Sequence, residues 1–296
     1  MPGMQPPLTL QTLLAAYPNT GALRNGDRRS PLVNFAFSDV KTANKGFKTL
    51  VREQKFDLGE LAMVTFLQAK AYGKPYVLMP AVVVARGQHH TIFYNPERGH
   101  LSPGNLHGRK VGVRAYTQTT GAWVRGFLQE DYGVDFQRVR WITFEDPHVA
   151  EFTDPPWVQR APAGRQQLQM VLDGEIDAAI FGSENPEGTL LKPLIPDAED
   201  VAARWAKEHG GVPINHMMVI KESITQAHPD VVREVYRMLK ESAAACPSKN
   251  SDGLRFGVEA VRKSLETIIR YSERQGLIPR RFSVDELFND VTRSLD

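Results

Sequence analysis

Between Gly108 and Tyr132 a buried strand, a run of hydroxyl side chains and an amphipathic helix follow one another without a break. Gly108-Arg109-Lys110-Val111-Gly112-Val113 reads as a turn entering a strand. Arg114 to Gly121 is a polar turn containing Thr117, Thr119 and Thr120. From Ala122 to Tyr132 the bulky residues Trp123, Phe127 and Tyr132 keep helical spacing. A strand that turns directly into a helix is a building unit of α/β architecture. It also leaves the first amides of the helix unpaired and capped by threonine. Such an end attracts an anion. Thr119 and Thr120 can donate to it, and Arg114 or Arg125 can supply full charge. An ordinary capped helix accounts for the same residues without any ligand.

The alternation recurs along the chain. Strand patterns are read at residues 8–14, 32–37, 56–63, 76–80 and 91–95, with helical patterns at 20–25, from about 40 and at 66–72. Pro96, Gly99, Pro103 and Gly104 crowd a plausible boundary at 95–105. The pattern then restarts, with strands at 110–113, 140–144, 176–181 and 213–220 and helices at 121–132, 165–173 and 198–208. Residues 153–164 carry three prolines and Trp157 and read as a loop or lid. Beyond Pro229 three helices are expected, at 230–245, 254–273 and 284–292.

With 296 residues the chain can build two lobes. A net charge of +2 and the absence of any basic run interleaved with aromatics argue against nucleic acid as a partner. No apolar stretch approaches the ~20 residues that span a bilayer. Met1 to Pro7 show no secretory pattern, so a cytoplasmic location is expected. Cys246 stands alone, and His89, His90, His100 and His107 form a metal cluster only by counting, so neither metal nor cofactor is expected. No phosphate-binding loop, dinucleotide fingerprint or nucleophile elbow is present. Assembly as a homo-oligomer stays open.

Four stretches carry a family resemblance: Phe56-Asp57-Leu58-Gly59-Glu60, His89-His90-Thr91-Ile92-Phe93-Tyr94-Asn95, Tyr116 through Trp123-Val124-Arg125-Gly126, and Ile214-Asn215-His216-Met217-Met218-Val219-Ile220. In order and spacing the chain resembles the 4,5-dihydroxyphthalate decarboxylase family, from about Tyr17 to the C-terminal helices. The resemblance implies a two-lobed, periplasmic-binding-protein-like fold of the second type. Lobe 1 would comprise residues 1–95 and 213–296, and lobe 2 residues 96–212. The strands near 91–95 and 213–219 would form the hinge, and all four stretches would face one cleft. The implied activity is non-oxidative decarboxylation of a hydroxylated aromatic acid, with a small aromatic carboxylate as partner. The alternative on this fold is a solute-binding protein that captures a carboxylate without turnover.

Loss of CO2 from an aromatic acid requires a proton for the ring carbon and cations for any carboxylate that stays. Glu60, His89 and His216 are the expected proton donors and acceptors, with Glu60 as a buried carboxylic acid able to donate. Arg114, Tyr116, Thr119, Thr120, Trp123 and Arg125 are the expected substrate-binding set. Each has a structural counterpart reading. Glu60 can cap the following helix. Trp123 can be core. Arg125 can pair with Glu130 or Asp131 on the helix surface. His216 can be a hydrogen-bonded strand residue. His89 and His90 point to opposite faces if they lie on a strand, so at most one meets a ligand.

Overall fold

The computed structural model describes residues 6–182, 186, 188–246 and 254–296. The N-terminal reading of Met1 to Gln5 therefore lies outside the described residues. The strands are β1 (Leu8–Leu13), β2 (Val33–Phe37), β3 (Leu58–Ala62), β4 (Tyr76–Ala85), β5 (Ile92–Tyr94), β6 (Lys110–Val113), β7 (Arg140–Thr143), β8 (Val158–Arg160), β9 (Ala178–Ile180), β10 (Lys192–Pro193) and β11 (Ile214–Lys221). The helices are α1 (Gly21–Arg24), α2 (Asn44–Lys48), α3 (Met63–Ala71), α4 (Thr119–Tyr132), α5 (Gln167–Asp173), α6 (Ala198–His209), α7 (Glu222–Ala227), α8 (Pro229–Ala244), α9 (Val258–Arg274) and α10 (Asp290–Arg293).

Two sheets result, ordered β2-β1-β3-β11-β4 and β10-β5-β9-β6-β7-β8. In the first, β1 runs parallel to β2 and β3, and β11 lies antiparallel between β3 and β4. In the second, β6 pairs in parallel with β7 and β9, and β5 is antiparallel to β9. The strand Ile92–Tyr94, assigned to the first lobe from sequence, bonds within the second sheet. The chain thus leaves the first sheet after Ala85 and returns to it at Ile214.

β4 shows why continuous apolar runs become central strands. Tyr76 to Val83 are all buried, as a strand covered on both faces demands. The sequence ends this strand at Pro80, yet it continues to Ala85. Its ladder to β11 slips around the proline, with Met217 opposite Val82 and Val219 opposite Leu78. The bulge leaves no pairing that requires the missing N–H.

α8 lays Val231, Val232, Val235 and Leu239 into the core beneath the first sheet. α9 packs against both α3 and α4. Gly126 makes the α4 contact possible, since a Cβ there would lie 2.1 Å from Cε2 of Tyr271.

Two expectations are corrected. The helix read at 284–292 is a 3-10 turn, Asp285–Leu287, followed by α10. Extended backbone at Phe288 ends the turn, and Asn289 with Thr292 forms a capping box that starts the chain again. The proline-rich segment contains β8, an edge strand that pairs with β7 through Val158, Gln159 and Arg160.

Candidate active site

β3 and β11 lie side by side, with Met218 opposite Glu60 and His216 opposite Ala62. Side chains of one face alternate, so Glu60 and His216 are diagonal neighbours on the same face. Nδ1 of His216 lies 3.2 Å from Oε1 of Glu60. The Tyr17 hydroxyl donates to that same oxygen at 2.8 Å, and the Ala15 amide donates to Oε2 at 3.2 Å. Glu60 is wholly buried, while the His216 side chain keeps 21% of its surface exposed. Burial and the neighbouring Glu60 carboxylate hold the Tyr17 phenol far above the usual range, so it remains a donor. Glu60 thus accepts from two fixed donors, the Ala15 amide and the Tyr17 hydroxyl, and its contact to Nδ1 fixes the His216 ring.

β3 runs straight into α3, and the first turn of that helix meets α4. The Val64 amide donates to Oγ1 of Thr119 at 3.1 Å. One residue on, Oγ1 of Thr65 lies 2.8 Å from Nδ1 of His148. Arg52 donates to the carbonyls of His148 and Pro147, each at 2.7 Å. Phe47 of α2 makes edge contacts with the rings of both His148 and His216, at centroid distances of 5.4 and 5.2 Å. Elements that flank the first sheet thus meet elements of the second around Glu60 and His216. Burial, reinforced by Arg114, Lys48, His216 and Arg52, lowers the His148 pKa to about 3. This imidazole is therefore neutral.

The other expected residues divide between this contact and the interior. Arg114 directly follows β6, partly exposed, with its Nη1 3.2 Å from Glu145. Thr120 accepts from the side-chain amide of Asn215 at 3.2 Å, and Asn215 accepts from Gln88. Trp123 is core, its indole N–H donating to the Ile214 carbonyl at 3.0 Å. Tyr116 is buried, accepting from the indole of Trp157 at 3.0 Å. Arg125 is completely buried. It donates to Gln275 and to the Tyr116 carbonyl, each at 2.7 Å, beneath the Tyr116 ring at 4.0 Å. Burial lowers its pKa to about 10, so it stays charged. The surface pair expected with Glu130 is not formed, since Glu130 is bound instead by Arg270, Arg274 and Tyr271 of α9.

His89 is also apart from Glu60 and His216. Its ring stacks on Phe127 at 4.0 Å, next to Trp205, and neither nitrogen has a hydrogen-bond partner. Burial, with His90 and His209 nearby, lowers its pKa to about 4. Sequence reasoning missed Tyr17, Phe47, Thr65 and His148. Their contacts to one another and to Glu60 and His216 span long stretches of chain, and no local pattern announces them. Among the described residues, no group of three or more His, Cys, Asp or Glu is placed to hold a metal ion. No helix of the described residues is long and apolar enough to cross a membrane.

No protein-family model matches the chain. A 4,5-dihydroxyphthalate decarboxylase from Comamonas testosteroni is 28% identical over 257 residues, covering 78% of this chain and 76% of that protein. A 4,5-dihydroxyphthalate decarboxylase from Pseudomonas putida is 30% identical over 169 residues, covering 52% of this chain and 64% of that one. The resemblance read from the four sequence stretches is thus found again across most of the chain. Among solved structures, the alkanesulfonate-binding protein SsuA from Xanthomonas axonopodis pv. citri, bound to MOPS, superposes with a TM-score of 0.60 at 13% identity, over 96% of this chain and 99% of that one. A cysteine-to-serine mutant of DSZB in complex with biphenyl-2-sulfinic acid gives a TM-score of 0.57 at 13% identity, over 95% of this chain and 97% of that one. These likenesses establish the fold: two lobes of the periplasmic-binding-protein-like type II architecture.

Proposed function

We propose that the chain, similar to 4,5-dihydroxyphthalate decarboxylases over most of its length, removes CO2 without oxidation from a hydroxylated aromatic acid such as 4,5-dihydroxyphthalate. The observation that carries this reading is the Tyr17–Glu60–His216 cluster at the contact between the lobes. A ligand that enters there is enclosed as the lobes close, and its departing carboxylate loses water.

In the proposed reaction, Nε2 of His216 gives its proton to the ring carbon that bears the carboxylate. A ring hydroxyl supplies electron density to that carbon. The bond to the carboxylate then breaks, its electron pair returns to the ring, and CO2 leaves. The proton ends on carbon, so each turnover takes up one proton from solvent through His216. Glu60 stabilises the imidazolium before transfer and fixes the ring through Nδ1. Tyr17 holds Glu60.

The test is incubation with 4,5-dihydroxyphthalate and with monohydroxy and dihydroxy benzoates, followed by measurement of CO2 released. Release from an ortho- or para-hydroxylated acid is expected. Tight binding of these acids without CO2 would replace this reading by carboxylate capture without turnover.

A further inference from the structure

Residues 147–151, between β7 and β8 of the second sheet, are gripped by side chains that flank the first. Arg52, from the helical turn Thr49–Glu53 that continues α2, donates from Nε to the His148 carbonyl and from Nη2 to the Pro147 carbonyl, each at 2.7 Å. A guanidinium that binds two successive carbonyls accepts one placement of that backbone, because its donors are fixed in a plane. Thr65 of α3 holds Nδ1 of His148 at 2.8 Å. Lys74, just beyond α3, reaches Glu151 at 2.5 Å. That last pair is half open to solvent and contributes little, so the grip rests on Arg52 and Thr65. His148 and Val149 are buried at its centre. Each of these contacts must break for the lobes to part along this edge.

The grip extends to His216. Phe47 stands edge-on to both His148 and His216, with interplanar angles of 85° and 81°. Phe47 is fully buried, so its ring has no room to turn while both imidazoles are in place. The His216 ring is therefore set by Glu60 through Nδ1 and by Phe47 through packing. We propose that residues 147–151 form a clasp that couples closure of the lobes to the placement of His216, with Thr65 and His148 as positioning residues that act through Phe47. This rests on the reading of His216 as the proton donor. Parting the clasp withdraws His148 from Phe47, frees that ring, and lets the His216 imidazole turn about its contact with Glu60. The acid is then aimed at the reacting carbon only while the lobes are shut, which is when the departing carboxylate is shielded from water.

Nuclear magnetic resonance of the full chain carrying isotope-labelled histidine reads the His216 imidazole without any turnover, and the His216→Asn spectrum identifies its signals. Thr65→Val and Arg52→Met should each shift or broaden those signals, and Thr65→Ser should restore them. Arg125→Met, which loosens the structure at Gln275 and Tyr116 instead, should leave them in place. Unmoved His216 signals in both Thr65→Val and Arg52→Met, or equal movement in Arg125→Met, overturn the clasp. Initial rates of CO2 release from 4,5-dihydroxyphthalate are measured in parallel. In Thr65→Val, kcat should fall about tenfold, by more than KM rises, and it should recover in Thr65→Ser. A wild-type kcat in Thr65→Val overturns the positioning role. No CO2 from the wild-type chain, with His216 signals that still follow Thr65 and Arg52, supports the clasp and overturns only the decarboxylase reading. CO2 release from a chain whose His216 signals ignore both residues overturns only the clasp.

Discussion

The Val64 amide donates to the Thr119 hydroxyl at 3.1 Å, so the first turns of α3 and α4 meet across the two lobes. Each helix end carries partial positive charge. Two such ends brought together repel each other, and an anion between or beside them relieves that repulsion.

Thr119→Val removes the acceptor and leaves the Val64 amide unpaired in a buried place, at a cost of about 1–3 kcal/mol. Lower thermal stability and weaker phthalate binding are expected together. Thr119→Ser keeps the oxygen and should restore both. Melting curves and calorimetric titration check this, and a valine variant with wild-type binding would detach the helix junction from the ligand site.

The Tyr17–Glu60–His216 cluster predicts a graded series. His216→Asn should reduce CO2 release by about 100-fold or more, since a positioned acid or base contributes that much. Glu60→Gln should approach the same loss, because it leaves the imidazole without a charged partner. Tyr17→Phe should be milder, removing one of three hydrogen bonds made by Glu60. Phthalate affinity should persist in His216→Asn. Full turnover in that variant would reassign the proton donor.

His89 predicts a dependence of stability on pH. An imidazole in the unfolded chain binds its proton near pH 6.5, while His89 in the folded chain does so only at about 4. Between these values the unfolded state holds more protons, so stability falls as pH falls. Above about pH 6.5 the contribution of the neutral ring is fully present. His148 acts in the same direction, with a folded pKa of about 3. His89→Phe, which retains a flat ring against Phe127, should reduce the difference in urea midpoint between pH 7 and pH 5. An unaltered difference would show that His89 is not a source of the acid sensitivity.

Arg125 separates architecture from binding. Arg125→Met strips charged hydrogen bonds from Gln275 and from the Tyr116 carbonyl, each worth about 1.5–3 kcal/mol. A marked fall in melting temperature is expected, with phthalate affinity unchanged. A folded variant that has lost this affinity would return Arg125 to the ligand site.

Much of this arrangement is legible in the sequence because it is local. Alternation places Glu60 and His216 on strands, and the hydroxyl run places Thr119 and Thr120 at the start of α4. The sequence offers Arg125 to a ligand or to Glu130 and Asp131 on the helix surface, because burial of an arginine leaves no sequence mark. Its partner Gln275 lies far along the chain. His148 sits in an irregular segment and acquires its setting only when Thr65, Phe47 and Arg52 arrive from the other lobe. Pro80 hid the second half of β4, since a bulge depends on the partner strand as well as on the proline.

The seating of α9 on α3 and α4, with Tyr271 pressed into the space left by Gly126, limits how the molecule can open. A wide swing would lift an aromatic side chain out of a socket shaped to it and expose apolar surface to water. A slide along that helix would keep the socket filled. Entry of a flat, single-ring guest edge-on is compatible with so small a gape, whereas bulky guests meet a door that does not swing.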